Sequence, residues 1–273
     1  MILYSLLKRP FFARYQKPWQ WPAGVPQDSW ERVEFRNRSG VRMVGVLGRA
    51  RHGAAKARIL MPHPMHPDAK AYVLRAEHPE MLREAGYDVF LFDFNGFGES
   101  GNGNFLYPLD IVSAGETAAR LSPEVPIALY GISLGAGYGI CALDTPGHPF
   151  RVAVLESPFT TLEEYWRKFP GAYVFLKALT VLMPGVARQL RPIARMRTIT
   201  GVERLFMIYP GNDSVTPPEM GERLMAACPL PEDRRSLWVL PEGKHTRAIA
   251  AAPGEYRRRV LQFLDAAFDG VRV

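Results

Sequence analysis

The stretch from Ile127 to Leu143 limits what this chain can fold into more than any other. Ile127-Ala128-Leu129-Tyr130 is an apolar run of strand character. Gly131-Ile132-Ser133-Leu134-Gly135 follows, and then Ala136-Gly137-Tyr138-Gly139-Ile140-Cys141-Ala142-Leu143, small residues suited to a tightly packed helix. A strand that stops at a serine and turns straight into a helix exposes one hydroxyl at the strand's C-terminal end. The flanking glycines let the backbone turn sharply and let helix and strand approach closely. An ordinary serine in a Gly-rich turn is the bland alternative. The strand before and the helix after favour a nucleophile at Ser133.

The rest of the chain continues the alternation. Residues 30–36 alternate like an edge strand, and 41–47 alternate again after the turn signal Ser39-Gly40, which together predict an antiparallel hairpin. A short buried strand at 57–61 leads into a Pro/His loop at 62–68. A helix over 80–85 stops at Gly86, and 87–92 is strongly apolar. A helix is expected over 110–121. Strands follow at 127–130, 152–155, 204–209 and 237–240, with helices to about 143, over 218–227 and over 255–267. Strands alternating with helices predict an α/β fold, a doubly wound and mostly parallel sheet covered on both faces. Almost fifty residues separate the strands ending near Leu155 and starting near Arg204, where a crossover needs about a dozen. This surplus predicts a small helical cap inserted at about 158–203 after the sixth strand, with Pro184-Gly185 ending one helix and the apolar residues covering the site. The predicted organisation is an arm at 1–29 followed by one domain at 30–273.

Composition narrows the class. Of 273 residues, 47% are hydrophobic and 22% charged, which suits an ordinary soluble domain with a large core. Cys141 and Cys228 give neither a disulfide framework nor a metal-site spacing, and they fit a reducing, cytoplasmic setting. The net charge of +7 is spread over the termini and the 167–197 region, with no nucleic-acid motif and no dense Lys/Arg block. A solvated basic surface is the reading that follows. The apolar run from Met1 to Leu7 is too short to span a bilayer, and its basic residues follow it, unlike those of a signal peptide. Phe11, Phe12, Tyr15, Trp19 and Trp21 interleave with Arg14 and Lys17. That mixture suits either a membrane interface or an arm packed on the domain, and packing is the favoured reading.

A serine hydroxyl needs a base within hydrogen-bond reach, and the base needs an orienting carboxylate. Chemistry on an open parallel sheet gathers past the C-terminal ends of its strands. Of the six histidines, His245 follows the last strand, in Leu240-Pro241-Glu242-Gly243-Lys244-His245, and is the expected base. His63 and His66 also lie just past a strand. Asp213, in Pro210-Gly211-Asn212-Asp213-Ser214-Val215-Thr216-Pro217, is the expected carboxylate. Glu156 is its rival at the end of the preceding strand, and Glu242 reads as a loop charge. Leu134, just after the serine, is the expected first oxyanion donor through its backbone N–H. Two patterns are decoys. Gly96-Phe97-Gly98-Glu99-Ser100-Gly101 matches a dinucleotide fingerprint, but Asn102-Gly103-Asn104 and Pro108 delay the helix a true one would open. His63 and His66 with Asp68 resemble a metal cluster, interrupted by prolines and lacking a further ligand group.

The order Ser133, Asp213, His245 on an alternating sheet resembles the α/β-hydrolase superfamily, from the hairpin near Trp30 to the last helix. The segments that carry the likeness are Gly131 to Gly135, Gly211-Asn212-Asp213 with Pro217, and Gly243-Lys244-His245. Asp93-Phe94-Asn95-Gly96-Phe97-Gly98-Glu99-Ser100 looks like the family's turn after its fourth strand. Glu156-Ser157-Pro158-Phe159-Thr160 is similar to the start of the cap in serine-peptidase-like and acyl-thioesterase-like members. The resemblance implies an eight-stranded α/β-hydrolase sheet. It also implies a second oxyanion donor in the loop after the third strand. Relatives carry His-Gly there; this chain has His63-Pro64, and Pro64 has no N–H, so the family register points to the N–H of Met65. The implied activity is hydrolysis of a carboxylic ester or thioester of a small acyl substrate through an acyl-enzyme, with no metal or organic cofactor. An aminopeptidase-like peptidase and a silent ligand-binding homologue are the alternatives.

Overall fold

The backbone hydrogen bonds that the alternation predicts close into one eight-stranded sheet. The structure, a computed structural model, describes residues 18–104, 106–167, 169–182 and 191–268. Strands β1 (Glu31–Arg36) and β2 (Arg42–Gly48) form the expected antiparallel hairpin. Asn37 shapes its turn, its side-chain oxygen accepting from the amides of Ser39 and Val41 at 3.0 and 2.9 Å. Then come β3 (Arg58–Pro62), β4 (Asp88–Phe92), β5 (Ile127–Ile132), β6 (Phe150–Glu156), β7 (Arg204–Pro210) and β8 (Arg235–Leu240). The strand order is β1-β2-β4-β3-β5-β6-β7-β8. From β4 onward along this order every pairing is parallel; β2 meets β4 antiparallel. Strand β5, which carries the serine turn, lies in the interior and is buried along its whole length.

Both faces are covered, as a buried parallel sheet requires. On β5 the side chains of Ile127 and Leu129 enter one core, and Ala128, Tyr130 and Ile132 enter the other. The first core is closed by α3 (Tyr107–Leu121) and α4 (Leu134–Leu143), with Met220 and Leu224 of α8 (Pro218–Ala227). The second is closed by α1 (Lys70–Leu74), α2 (Glu77–Glu84), α9 (Ala248–Ala251) and α10 (Pro253–Phe268). Cys141 is buried on α4, where desolvation pushes its thiol up to about 12. Two helix starts come earlier than the prolines suggest. Pro79 and Pro108 sit in the first turns of α2 and α3, where no intrahelical amide partner is needed.

The interval after β6 contains α5 (Leu162–Tyr165), α6 (Pro170–Leu182) and α7 (Pro192–Met196). Thr161 caps α5, its hydroxyl accepting from the Glu164 amide at 3.1 Å. The expected helix stop at Pro184-Gly185 lies outside the described residues, as do Phe11, Phe12, Arg14, Tyr15 and Lys17 of the arm. Trp19 and Trp21 are described and pack on the second core, with ring centroids 5.7 Å apart and edge to face. No described helix is long and apolar enough to cross a membrane.

Candidate active site

The serine turn is strained. Ser133 has φ +52°, in the left-handed region that non-glycine residues rarely enter. Its N–H donates to the Glu156 carbonyl at 2.8 Å, and its own carbonyl accepts from Gly137 at 2.9 Å, opening α4. The glycines on either side are fixed by contact. A Cβ on Gly131 would lie 2.6 Å from the Ala136 Cα, and one on Gly135 would lie 2.2 Å from the Pro62 carbonyl oxygen. Helix α4 therefore presses against both its own strand and the loop after β3.

Three strand ends converge at this turn. Ser133 Oγ lies 2.7 Å from His245 Nε2, and His245 Nδ1 lies 2.7 Å from Asp213 Oδ2. The loops after β7 and β8 are tied together by the Asn212 N–H, which donates to the Gly243 carbonyl at 3.1 Å. Asp213 is buried, and its Oδ1 accepts from the amides of Val215 and Thr216, both at 2.9 Å. The Thr216 hydroxyl donates to Asp213 Oδ2 at 2.9 Å and lies 3.2 Å from His245 Nδ1. Burial alone raises the Asp213 carboxyl. The hydrogen bond and charge of His245 and the two amides outweigh it and hold the group below its ordinary value. The ionised carboxylate so favoured fixes a proton on Nδ1 and leaves Nε2 facing the serine hydroxyl.

The loop after β3 faces the same turn. Leu134 is the first residue of α4, and its N–H is among the first-turn amides that have no carbonyl partner within a helix. Met65 lines a cavity together with Ser214 and Val215 of the Asp213 loop. His63, which the sequence placed just past a strand as a rival base and in a metal-like cluster with His66, is completely buried. Its Nδ1 bonds the Pro64 carbonyl at 2.7 Å and its Nε2 accepts from the Phe94 amide at 3.2 Å, between the rings of Phe94 and Phe97. Burial pushes this imidazole down to about 3, so it is a neutral bridge between the β3 and β4 loops.

This cavity, of about 420 Å³, borders the Asp213 loop through Ser214 and Val215. Met65, Tyr165, Trp166, Phe169, Val215 and Met220 supply its apolar walls. Arg167 and the Arg223–Glu164 ion pair, at 2.7 Å, also line it. The wall thus joins the loops after β3 and β7 to the first helix of the insertion.

The remaining candidates are placed elsewhere. Glu156 is completely buried beneath the serine turn and accepts from the Tyr256 hydroxyl at 2.5 Å. Tyr256 also bonds Tyr130, and His78 Nε2 lies 3.1 Å from the Tyr256 hydroxyl. His66 and Asp68 lie together, but both nitrogens of His63 are already bonded, and among the described residues no group of three or more His, Cys, Asp or Glu is arranged to hold a metal. The glycine pattern at 96–101 folds back on itself: a Cβ on Gly98 would lie 2.3 Å from the Asp93 carboxylate. That carboxylate accepts from the buried Lys70 ammonium at 2.6 Å and from the Glu99 amide at 3.0 Å. The sequence reading missed Thr216 and Lys70, and the buried bridging role of His63. Only Thr216 left a signal, as a hydroxyl three residues after an aspartate at a helix entrance.

The family described as Serine aminopeptidase, S33 (Hydrolase_4) matches residues 53–204, more than half of the chain. The chain belongs to this family. Its members are hydrolases of the α/β-hydrolase superfamily, the fold seen here. This S33-family chain is similar to the uncharacterized protein YfhR of Escherichia coli (strain K12), with 25% identity over 89% of this chain and 84% of that protein. It is 29% identical over 111 residues to lysophosphatidylserine lipase ABHD12 of Gallus gallus, covering 37% of this chain and 28% of that one. Among solved structures, the esterase Pf2001 of Pyrococcus furiosus superposes with a TM-score of 0.72 over 92% of this chain and 98% of that one, at 22% identity.

Proposed function

We propose that this protein is a serine hydrolase that cleaves a carboxylic ester or thioester through an acyl-enzyme on Ser133. The observation that carries the reading is the chain of two 2.7 Å contacts from Ser133 through His245 to Asp213. Val215, whose amide reaches Asp213, also lines a cavity with Met65 and Met220. In the first half-reaction Ser133 Oγ attacks the substrate carbonyl carbon and its proton passes to His245 Nε2. The C=O electrons move to oxygen, which the N–H groups of Leu134 and Met65 stabilise. Collapse expels the alcohol or thiol, which takes the proton from His245. Water then repeats the sequence and releases the acid. Asp213 stays ionised and holds the imidazole tautomer.

The family's description favours an aminopeptidase as a second reading. An α-amino group calls for an unpaired carboxylate in the cavity, whereas Glu164 is paired with Arg223 and Arg167 adds a further cation. This charge balance supports the ester. A fluorophosphonate probe is expected to label the wild type and spare Ser133→Ala; equal labelling of both would overturn the nucleophile. p-Nitrophenyl esters of graded chain length, run beside aminoacyl anilides, separate the two readings. Turnover of the anilides alone would favour the peptidase.

A further inference from the structure

Helix α6 turns apolar residues outward. Val174, Phe175, Val181 and Leu182 are 64, 39, 79 and 78% exposed. Their spacing, i, i+1, i+7 and i+8, puts them on one stripe. Leu176, on another side of the helix, is the buried residue, at 4%. A helix covering a water-soluble domain turns its polar face outward. Here the apolar stripe faces out. Lys177 is exposed on the same helix, its ammonium 5.2 Å from the Tyr173 ring centroid. Arg167 is exposed at the cavity wall and makes no ion pair among the described residues.

Charge identifies what covers the stripe. From Trp166 to Arg197 the sequence holds seven Lys and Arg residues and no Asp or Glu. The chain's whole net charge of +7 therefore resides in this apolar segment, and the rest balances to zero. Arg191 and Arg195 pair with Glu163 and Asp144 from neighbouring elements, whereas Arg167 makes no salt bridge among the described residues and acts on Glu164 only at longer range. An outward apolar stripe among cations is the pattern of a helix lying in a membrane interface. A second copy on the same face would oppose cation to cation.

We infer that α6 docks on an anionic lipid surface, with Val174, Phe175, Val181 and Leu182 inserted and Arg167 and Lys177 meeting headgroups. The cavity wall reaches Phe169, next to the start of the helix, so docking brings one wall of the cavity close to the bilayer. An acyl substrate then enters from lipid rather than from water. That last consequence rests on the Ser133 reading; the docking itself does not.

The test uses the full chain, as wild type and as Ser133→Ala, co-sedimented with vesicles of phosphatidylcholine alone or with about one third phosphatidylglycerol. Both proteins are expected to bind the anionic vesicles, to leave the neutral ones, and to be released by roughly 1 M salt. Lys177→Gln is expected to weaken partition about fivefold. The pair Val181→Asp/Leu182→Asp is expected to abolish it while leaving the circular dichroism and hydrolysis of p-nitrophenyl acetate unchanged. Equal binding by that pair and the wild type, or equal binding to both vesicle types, would overturn the proposal. So would loss of binding in Phe11→Ser/Phe12→Ser but not in the aspartate pair, which would place the contact in the arm. A concentration-dependent dimer without vesicle binding, abolished by the aspartate pair, would assign the face to a second copy. If Ser133→Ala still hydrolyses p-nitrophenyl acetate, the hydrolase reading fails and the vesicle result stands by itself.

Discussion

His63 makes a prediction that can be worked through with numbers. Its ring is fully buried, donates to Pro64 and accepts from Phe94, and desolvation lowers it to about 3 from an ordinary 6.5. The Pro64 bond opposes that shift, and the charges of Lys70 and His66 add to it. The unfolded chain therefore binds one more proton than the folded one wherever the pH lies between those two values. Stability is unaffected above about pH 6.5 and falls by about 1.4 kcal/mol per pH unit below it, until the folded ring itself protonates. At about pH 4.5 the loss from this group reaches about 3 kcal/mol. His63→Gln keeps one donor and one acceptor on a side chain that does not titrate. It is expected to lower stability near pH 7 by about 1–3 kcal/mol through imperfect fit. Its unfolding free energy should then change less between about pH 6.5 and 4.5 than that of the wild type. Urea titrations of both proteins across that range give the two slopes. Parallel curves would refute the buried neutral bridge.

Three further outcomes follow from the site. Gly135→Ala forces a methyl toward the Pro62 carbonyl and displaces the loop that carries Met65, so kcat should fall by about 100-fold with little change in secondary structure; near-normal turnover would separate that loop from catalysis. Asp213→Asn should lower kcat by roughly 10⁴-fold, whereas Glu156→Gln, whose carboxylate meets Tyr256 rather than His245, should reduce melting temperature more than turnover. Thr216→Val removes a hydroxyl from the Asp213 carboxylate and should lower kcat about tenfold at unchanged KM, which steady-state kinetics on one ester would show.

What could be read from the sequence was whatever local chemistry dictates. The eight strands were legible because β1 and β2 alternate in polarity and the others are apolar runs bounded by turn residues, and β5 above all because the glycines around Ser133 have no other use. Ser133, Asp213 and His245 could be placed near one another because each sits just past a strand end. Their mutual distances were not legible, since these depend on how β5, β7 and β8 align. The start of α3 was misplaced because Pro108 signals a break in most contexts and a first turn in this one. His63, Lys70 and Thr216 stayed hidden for a different reason. Their roles come from burial against residues distant in sequence, Phe94, Asp93 and His245 among them, and no periodicity records that.

The two carboxylates, Asp213 and Glu156, show why strand-end position alone could not choose between them. Both follow a parallel strand on the same side of the sheet as Ser133. Asp213 is reached by two amides, one hydroxyl and an imidazole, a donor set that favours the ionised form beside His245. Glu156 meets the Tyr256 hydroxyl, and its backbone carbonyl accepts the Ser133 amide. Its side chain ties the floor of the turn to α10, while its main chain helps hold Ser133 at positive φ. A buried hydrogen-bond network of Tyr130, Tyr256 and Glu156 thus lies beneath the strained serine. Under the proposed function, a serine held this way is ordered before substrate arrives, and less binding energy is then needed to position it.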